Sequence, residues 1–283
     1  MKVYANVVFN NEAVILKHLV PIWNTYEIDE WVFYNDRSTD DSVDVLNQLD
    51  AKVTILNDNL EGPFNETYCR DRMLEYSRDS GAEFVIAIDA DEFLSVNFVE
   101  QLRPSLEQIF TKYEVASYWY NFVNDINHIR QDPMYVENYK SFIMHVPSTG
   151  SFKQYQQMNI HCARTAPSKL PKVMSKEIGL MHLQAMNLEF YALKQLWYKH
   201  WEHKDLNQQA YHLNNKYDPV VNNLDLNPTK IDDKLIKGIS INANIFDELL
   251  LIKDYKGYIL KNLVPKLITF GKEYLYENSS IER

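Results

Sequence analysis

Residues 89 to 92 read Asp-Ala-Asp-Glu and follow directly on the apolar run FVIAI at 84–88. Three carboxylates within four positions repel one another, so a fold that keeps them together must bring positive charge or a cation to them. Asp89 and Asp91 stand two apart, and on extended backbone that spacing puts both side chains on one face. Hard oxygen donors so placed suit Mg2+ or Mn2+, ions that keep waters and complete their shell with substrate phosphates. The same residues also serve as ordinary helix caps or as a polar turn.

Two other apolar segments end in a similar way. VYANVVF at 3–9 runs into Asn10, Asn11 and Glu12, and EWVFYN at 30–35 runs into Asp36, Arg37, Ser38 and Thr39. Ligands of open α/β sheets bind beyond the carboxyl ends of the strands. Capping explains each polar cluster singly, and it explains Ser38 and Thr39 well. Three clusters at ends of neighbouring strands point instead to one shared site.

The elements that must position these groups alternate in the first hundred residues. Strands are expected at 3–9, 30–36, 52–56 and 83–88, with helices from 11 to 26, 38–49 and 65–79, Pro21 bending or ending the first helix. Apolar strands separated by helices imply an α/β layer fold with a largely parallel sheet. Beyond it, 97–113 reads as helix, 115–123 as strand, 124–181 as loops and short strands, and 188–204 as helix. Residues 214–230 read as a linker, and 244–277 as one or two amphipathic helices that pack on the domain or form a dimer. The division expected is a domain over 1–205, with halves at about 1–112 and 113–205, followed by a linker and helical extension over 206–283.

Composition narrows the function classes. A formal net charge of −10 argues against a nucleic-acid binder, whose footprint is basic. The seven glycines are scattered, so neither a dinucleotide-binding nor a P-loop glycine motif is present. Cys69 and Cys162 form no C-x-x-C pair and fit a reducing compartment. No signal peptide and no apolar stretch of membrane-spanning length is read, so the expected location is cytoplasmic, with peripheral contact at the inner face of a membrane left open.

The segment NNEAVILKHLVPIWNTYEIDEWVFYNDRSTDDSVDVL, followed by AIDADEFL, resembles the nucleotide-sugar glycosyltransferases of the GT-A fold, above all family 2 and relatives with a DxDEF signature. The likeness covers roughly residues 1–125 and resumes at HLQAMNLEFYALKQLWYKHWE, 182–202. It implies a Rossmann-like, open, twisted, mostly parallel sheet flanked by helices. It further implies an Mn2+- or Mg2+-dependent transfer from a nucleotide diphosphate sugar, UDP-linked, to an acceptor hydroxyl with inversion, in cell-surface polysaccharide or glycolipid synthesis. By position, Asn10 and Glu12 would meet the nucleoside, Asp36 the base, Asp89 the ribose or metal shell, and Asp91 the metal. His182 would be a late metal or diphosphate ligand, with His161 as its competitor. Arg70 or Arg72 would contact the donor, unless they form surface ion pairs with Asp71, Glu75 or Asp79. The glycine usual in the second motif is replaced here by Arg37.

A general base for the acceptor belongs after the strand at 115–123. Asp125 is the first candidate, with Asp132 and Glu137 behind it, each also readable as a solvated loop carboxylate. Trp119, Tyr120 and Phe122 offer a sugar-stacking face or simply core. The helix carrying Lys194, Lys199 and Lys204 would close the domain, line a glycan or glycolipid acceptor site, or rest on an anionic surface. Two rival classes remain: a sugar- or nucleotide-binding module without turnover, and an aspartyl phosphohydrolase, whose D-x-D-x-[TV] pattern fails at Phe93.

Overall fold

The computed structural model describes residues 1–58, 61–62, 64–132, 137–151, 162–205, 226–253, 257 and 261. The first half is a five-stranded sheet in the order β3-β2-β1-β4-β9. Its strands β1 (Val3–Phe9), β2 (Glu30–Asn35), β3 (Lys52–Leu56) and β4 (Phe84–Asp89) are parallel, and β9 (Ile143–His145) closes the edge antiparallel to β4. The strands alternate with α1 (Ala13–Trp23), α2 (Ser42–Leu46) and α3 (Glu66–Asp79). The chain is therefore α/β with a mostly parallel sheet flanked by helices.

Burial on both faces explains why these strands are almost wholly apolar. Val3, Ala5, Val7 and Phe9 join the core that holds α1, whereas Tyr4 joins Cys69, Met73 and Leu74 of α3. Trp23 of α1 stacks on Trp31 with ring centroids 4.9 Å apart, and Trp31 stacks on Phe33 at 5.9 Å. Trp23 is fully buried, and truncating it to alanine should cost about 3–5 kcal/mol.

The second sheet, β11-β7-β6-β10-β5 with β8 on β6, is mostly antiparallel. It contains β5 (Glu92–Leu94), β6 (Glu114–Val123), β7 (Asp125–Arg130), β8 (Tyr139–Lys140), β10 (Lys172–Ala185) and β11 (Pro228–Lys230). Only β6 and β10 run parallel. Phe93 of β5 stacks on Phe122 of β6 at 5.9 Å within this sheet, and both belong to the same apolar core as Val7 and Phe9 of β1.

Several expectations change. Pro21 does not end α1, because in the last turn its missing N–H forfeits a single bond. The helix expected at 38–49 shrinks to α2, since Ser38 and Asp40 are used to hold the neighbouring loop. The span 97–113 breaks into α4 (Val96–Val99), α5 (Leu102–Ser105) and a π turn at Leu106–Phe110. The supposed loop region contains the fourteen-residue β10, and the supposed linker contains β11.

Two further helices complete the described chain. The first, α6 (Leu188–Asp205), is capped by Asn187, whose side chain accepts the Phe190 N–H at 2.9 Å. The second, α7 (Ile245–Lys253), packs on α6 through Phe190 and Phe246, rings 5.0 Å apart. The helix at Ile245–Lys253 thus lies against α6 and α1. No helix among the described residues is long and apolar enough to cross a membrane.

Candidate active site

The ends of β1, β2 and β4 lie level, with Phe9 opposite Asn35 and Val8 opposite Asp89. Their polar extensions are latched to one another. Asn11 takes a left-handed backbone, φ 49°, which suits asparagine, and its side chain accepts the Thr39 N–H at 2.7 Å. Ser38 accepts the Asn11 N–H, Ser42 the Glu12 N–H, and Asp40 the Ala13 N–H, at 2.9, 2.9 and 3.0 Å. Asn10 donates its amide to the Asp36 carbonyl at 2.6 Å. These bonds tie the two loops into one platform.

Arg37 keeps the backbone that a glycine would supply, with φ 60°. The strain, on the order of 1–2 kcal/mol, is offset by its side chain, which bonds the Asp36 carboxylate at 2.9 Å and the Gly62 carbonyl at 2.7 Å. Burial pushes the Asp36 carboxyl pKa up, and Arg37 opposes that rise. Glu12 is also raised by burial, with Lys253 and Lys194 opposing. Lys253, from the end of α7, donates to Glu12 Oε1 at 2.8 Å and to the Asn10 carbonyl.

At the end of β4 the carboxylates are compensated by protein cations. The chain turns at Ala90 and Asp91, so the extended geometry assumed for the D-x-D pair is not adopted. Asp89 is bonded by Arg70 at 2.9 Å and by Arg164 at 2.5 Å. Arg164 also grips Glu92 with two bonds of 2.5 and 2.9 Å. Glu92 is fully buried, accepts the Trp119 indole N–H at 2.7 Å, and accepts the Asp89 backbone N–H at 2.8 Å. Burial pushes the Glu92 carboxyl up despite Arg164. Burial presses Asp89 the same way, but Arg164 and Arg70 outweigh it and hold Asp89 below the usual range.

Asp91 has different partners. Lys194 of α6 lies 3.3 Å from its Oδ2, and His182 Nε2 lies 3.4 Å from the same oxygen. Burial opposes ionisation, yet Lys194 and His182 hold this carboxyl far below the ordinary carboxylate range. His182 arrives here because β10 pairs with both β5 and β6, placing it opposite Glu92 and Asn121. The Leu183 N–H donates to the Asp91 carbonyl at 3.0 Å.

Hydrogen bonding selects the His182 tautomer. The Asn121 amide donates to the Trp119 carbonyl at 2.9 Å, so its oxygen faces His182 Nδ1 at 2.7 Å. Nδ1 must therefore carry hydrogen, and Nε2 is the nitrogen that faces Asp91, donating to that carboxylate when it too carries hydrogen. The ring stacks on Trp119 at 4.5 Å and is buried. Among the described residues no three His, Cys, Asp or Glu side chains converge on one point as a metal cage. The Asp91–His182 pair still fits a divalent ion that takes two protein ligands and fills its other positions with water and phosphate oxygens.

The remaining candidates scatter. Arg70 is buried within the cluster, bonded to Glu66 and Asp89 rather than in a surface pair with Asp71, Glu75 or Asp79. Arg72 bonds Asp58 and Glu75, as the ion-pair reading expects. Asp125 sits in the hairpin after β6, where Asn124 has φ 64° and donates to the Ala185 carbonyl. That places it roughly 10 Å along the strands from His182. Its carboxylate accepts the Asn127 N–H at 2.7 Å and lies 2.9 Å from His128 Nδ1. Asp132 is bonded by Arg130 at 2.7 Å, and Glu137 is exposed in a turn. His161 lies outside the described residues.

Arg164, Lys194, Asn121 and Lys253 are not assigned to the site from sequence, where the helix of Lys194 closes the domain, lines an acceptor site or rests on an anionic surface. The unbalanced charge of the DADE run was the signal that such cations must exist.

No protein-family model and no curated protein matches this sequence. Among solved structures, the chain is similar to S. aureus TarS 1-349, at 14% identity over 78% of this chain and 69% of that one, with a TM-score of 0.40. The same protein in complex with UDP-GlcNAc aligns at 13% identity over 78% and 70%, with a TM-score of 0.39. Glucosyl-3-phosphoglycerate synthase from Mycobacterium tuberculosis, in complex with Mn2+, uridine-diphosphate and glucosyl-3-phosphoglycerate, aligns at 18% identity over 42% and 44%, with a TM-score of 0.33. This chain thus matches less than half the length of the mycobacterial synthase. At such identities and TM-scores, the function must be argued from the residues of this chain.

Proposed function

We propose that this chain is a divalent-metal-dependent glycosyltransferase that moves a sugar from a nucleotide diphosphate sugar, UDP-linked, to an acceptor hydroxyl with inversion. The observation that carries the reading is the His182 arrangement. A buried imidazole donates Nδ1–H to Asn121 and aims the other nitrogen at Asp91, at the carboxyl edge of a parallel sheet. Metal-ligating histidines are oriented in this way, by a second partner that fixes the tautomer.

In this reading Asp91 and His182 hold the ion, while Glu12, Asp36 and Asn10 line the nucleoside end. Asp89, gripped by Arg70 and Arg164, borders the ribose and sugar. A bound Mn2+ or Mg2+ would stabilise charge developing on the departing diphosphate as a Lewis acid. Asp125 removes the acceptor proton, its carboxylate kept ionised by His128 against partial burial. The acceptor class that fits is a glycan or glycolipid of the cell surface, reached from the cytoplasmic side. Self-association through the C-terminal helices belongs to the same proposal.

The test is differential scanning fluorimetry with UDP, other nucleoside diphosphates and their sugars, with and without Mn2+. A ligand that binds only the folded state raises its melting temperature. A shift requiring both UDP and Mn2+ supports the proposal. Equal shifts with and without metal, or none for any nucleotide, would remove it.

A further inference from the structure

Lys194 reaches from α6 to Asp91, just beyond the end of β4. Its ammonium is 3.3 Å from Asp91 Oδ2, the oxygen that His182 also faces. Its charge acts on Glu12 as well as on Asp91, opposing the burial that disfavours both ionised forms. Its surroundings are tight: the side chain is 13% exposed, and Nζ lies 5.8 Å from the Phe190 ring centroid.

The other cations of the cluster are held differently. Arg70 bridges Glu66 and Asp89, and Arg164 bridges Asp89 and Glu92 with a two-pronged grip. Planar guanidinium forks so engaged do not move without stranding a buried carboxylate. Lysine is a point charge on a four-carbon stem with many rotamers. A divalent ion on Asp91 Oδ2 would repel an ammonium 3.3 Å from that oxygen, whereas a diphosphate would attract it.

We infer that Lys194 is a two-position cation: on Asp91 it acts as counter-ion and keeps the metal site closed, and once a metal takes Asp91 it turns to the donor's diphosphate. This rests on the metal role of Asp91 and His182 proposed above. Free protein would then bind metal weakly, and metal with nucleotide diphosphate would bind together far better than either alone. Such coupling is reciprocal by thermodynamic necessity.

Lys194→Met keeps the stem and removes the charge. Isothermal titration with Mn2+ alone should show at least threefold tighter binding than wild type. With saturating Mn2+, UDP and inorganic pyrophosphate should each bind at least tenfold more weakly. Lys194→Arg, which keeps the charge, should leave Mn2+ affinity near wild type and guards against a folding defect in the methionine variant. Unchanged or weaker Mn2+ binding by folded Lys194→Met overturns the inference. Tighter Mn2+ with unaltered UDP and pyrophosphate overturns its diphosphate half. Wild type that binds Mn2+ and pyrophosphate but no nucleotide sinks the glycosyltransferase reading and leaves Lys194 standing. Absence of Mn2+ binding by both wild type and Lys194→Met, with UDP present as well as without it, ends both.

Discussion

Asn121 and His182 sit opposite each other on parallel strands β6 and β10, and the asparagine oxygen holds the imidazole Nδ1–H at 2.7 Å. The asparagine cannot turn over, because its own amide is spent on the Trp119 carbonyl. One side chain therefore sets both the tautomer and the direction of the other. Asn121→Leu should keep the fold and lower Mn2+ affinity about 10- to 100-fold, the usual effect of losing such a partner. Titration with Mn2+ in the presence of UDP measures it, and undiminished affinity would mean that His182 needs no orienting.

Asp91→Asn should abolish the Mn2+-dependent response to UDP. Its effect on stability is the opposite of what the sequence suggests. Read alone, the DADE run implies that removing one charge relieves repulsion. In the fold, Asp91 is 7% exposed and paired with Lys194 and His182. The variant leaves a buried ammonium without its anion, so a loss of about 2 kcal/mol or more is expected, toward the ~3–5 typical of a broken buried pair. Urea denaturation decides the sign.

Asp125→Asn should keep donor binding and lose transfer by ~10²- to 10⁴-fold, the range for a missing general base. The carboxylate is half exposed and already engaged by His128 and the Asn127 N–H. Initial rates with a competent acceptor are the measurement. Near-normal turnover would move the role to Asp132 or Glu137, and lost UDP binding would place Asp125 in the donor site.

Glu30 offers a pH test away from the site. It lies at the start of β2, 2% exposed, and accepts from Tyr76 and Thr54 at 2.7 Å and from Lys52 at 3.0 Å. Burial presses its pKa up, but these bonds prevail and the folded value is lowered. A lowered carboxyl stabilises the fold above its unfolded pKa, near 4.3, and that stabilisation fades as pH falls through the folded value. Glu30→Gln should therefore cost about 1–3 kcal/mol at pH 7. The gap from wild type should narrow below about pH 4. A gap constant from pH 7 to 3 would show that packing, not charge, is what Glu30 contributes.

What the sequence made legible follows the range of the interactions. The four parallel strands and α3 were readable because apolar runs and helical spacing are local signals, and α3 is closed locally too, by an Asn65 side chain that accepts the Tyr68 N–H. The DADE run was readable as charge out of place at the end of an apolar strand, whereas His182 was legible only through the resemblance of the segment 182–202. The helix expected at 38–49 starts only at Ser42 because Ser38 and Asp40 bond residues 27 positions earlier, Asp40 also accepting the Ser42 N–H at 3.1 Å. Strand β10 was hidden because its first half is mostly exposed and its pairing with β6 slips between Ser175 and Gly179. Arg164 was missed because its partners lie 72 and 75 residues away, where no periodicity reports them.

The bond from Lys253 to Glu12 spans 241 residues. At a synthesis rate of ~5–20 residues per second, the interval between the two residues is on the order of 10–50 s. Throughout it, the growing chain carries Glu12 beside its first strand without the lysine that will neutralise it. The loop platform that carries Glu12 therefore matures late, after the parallel sheet beneath it has had time to form. Translation itself thus withholds the finished edge until α7 has emerged, and a chain interrupted before that helix should fold its first sheet yet leave Glu12 without its hydrogen-bonded lysine.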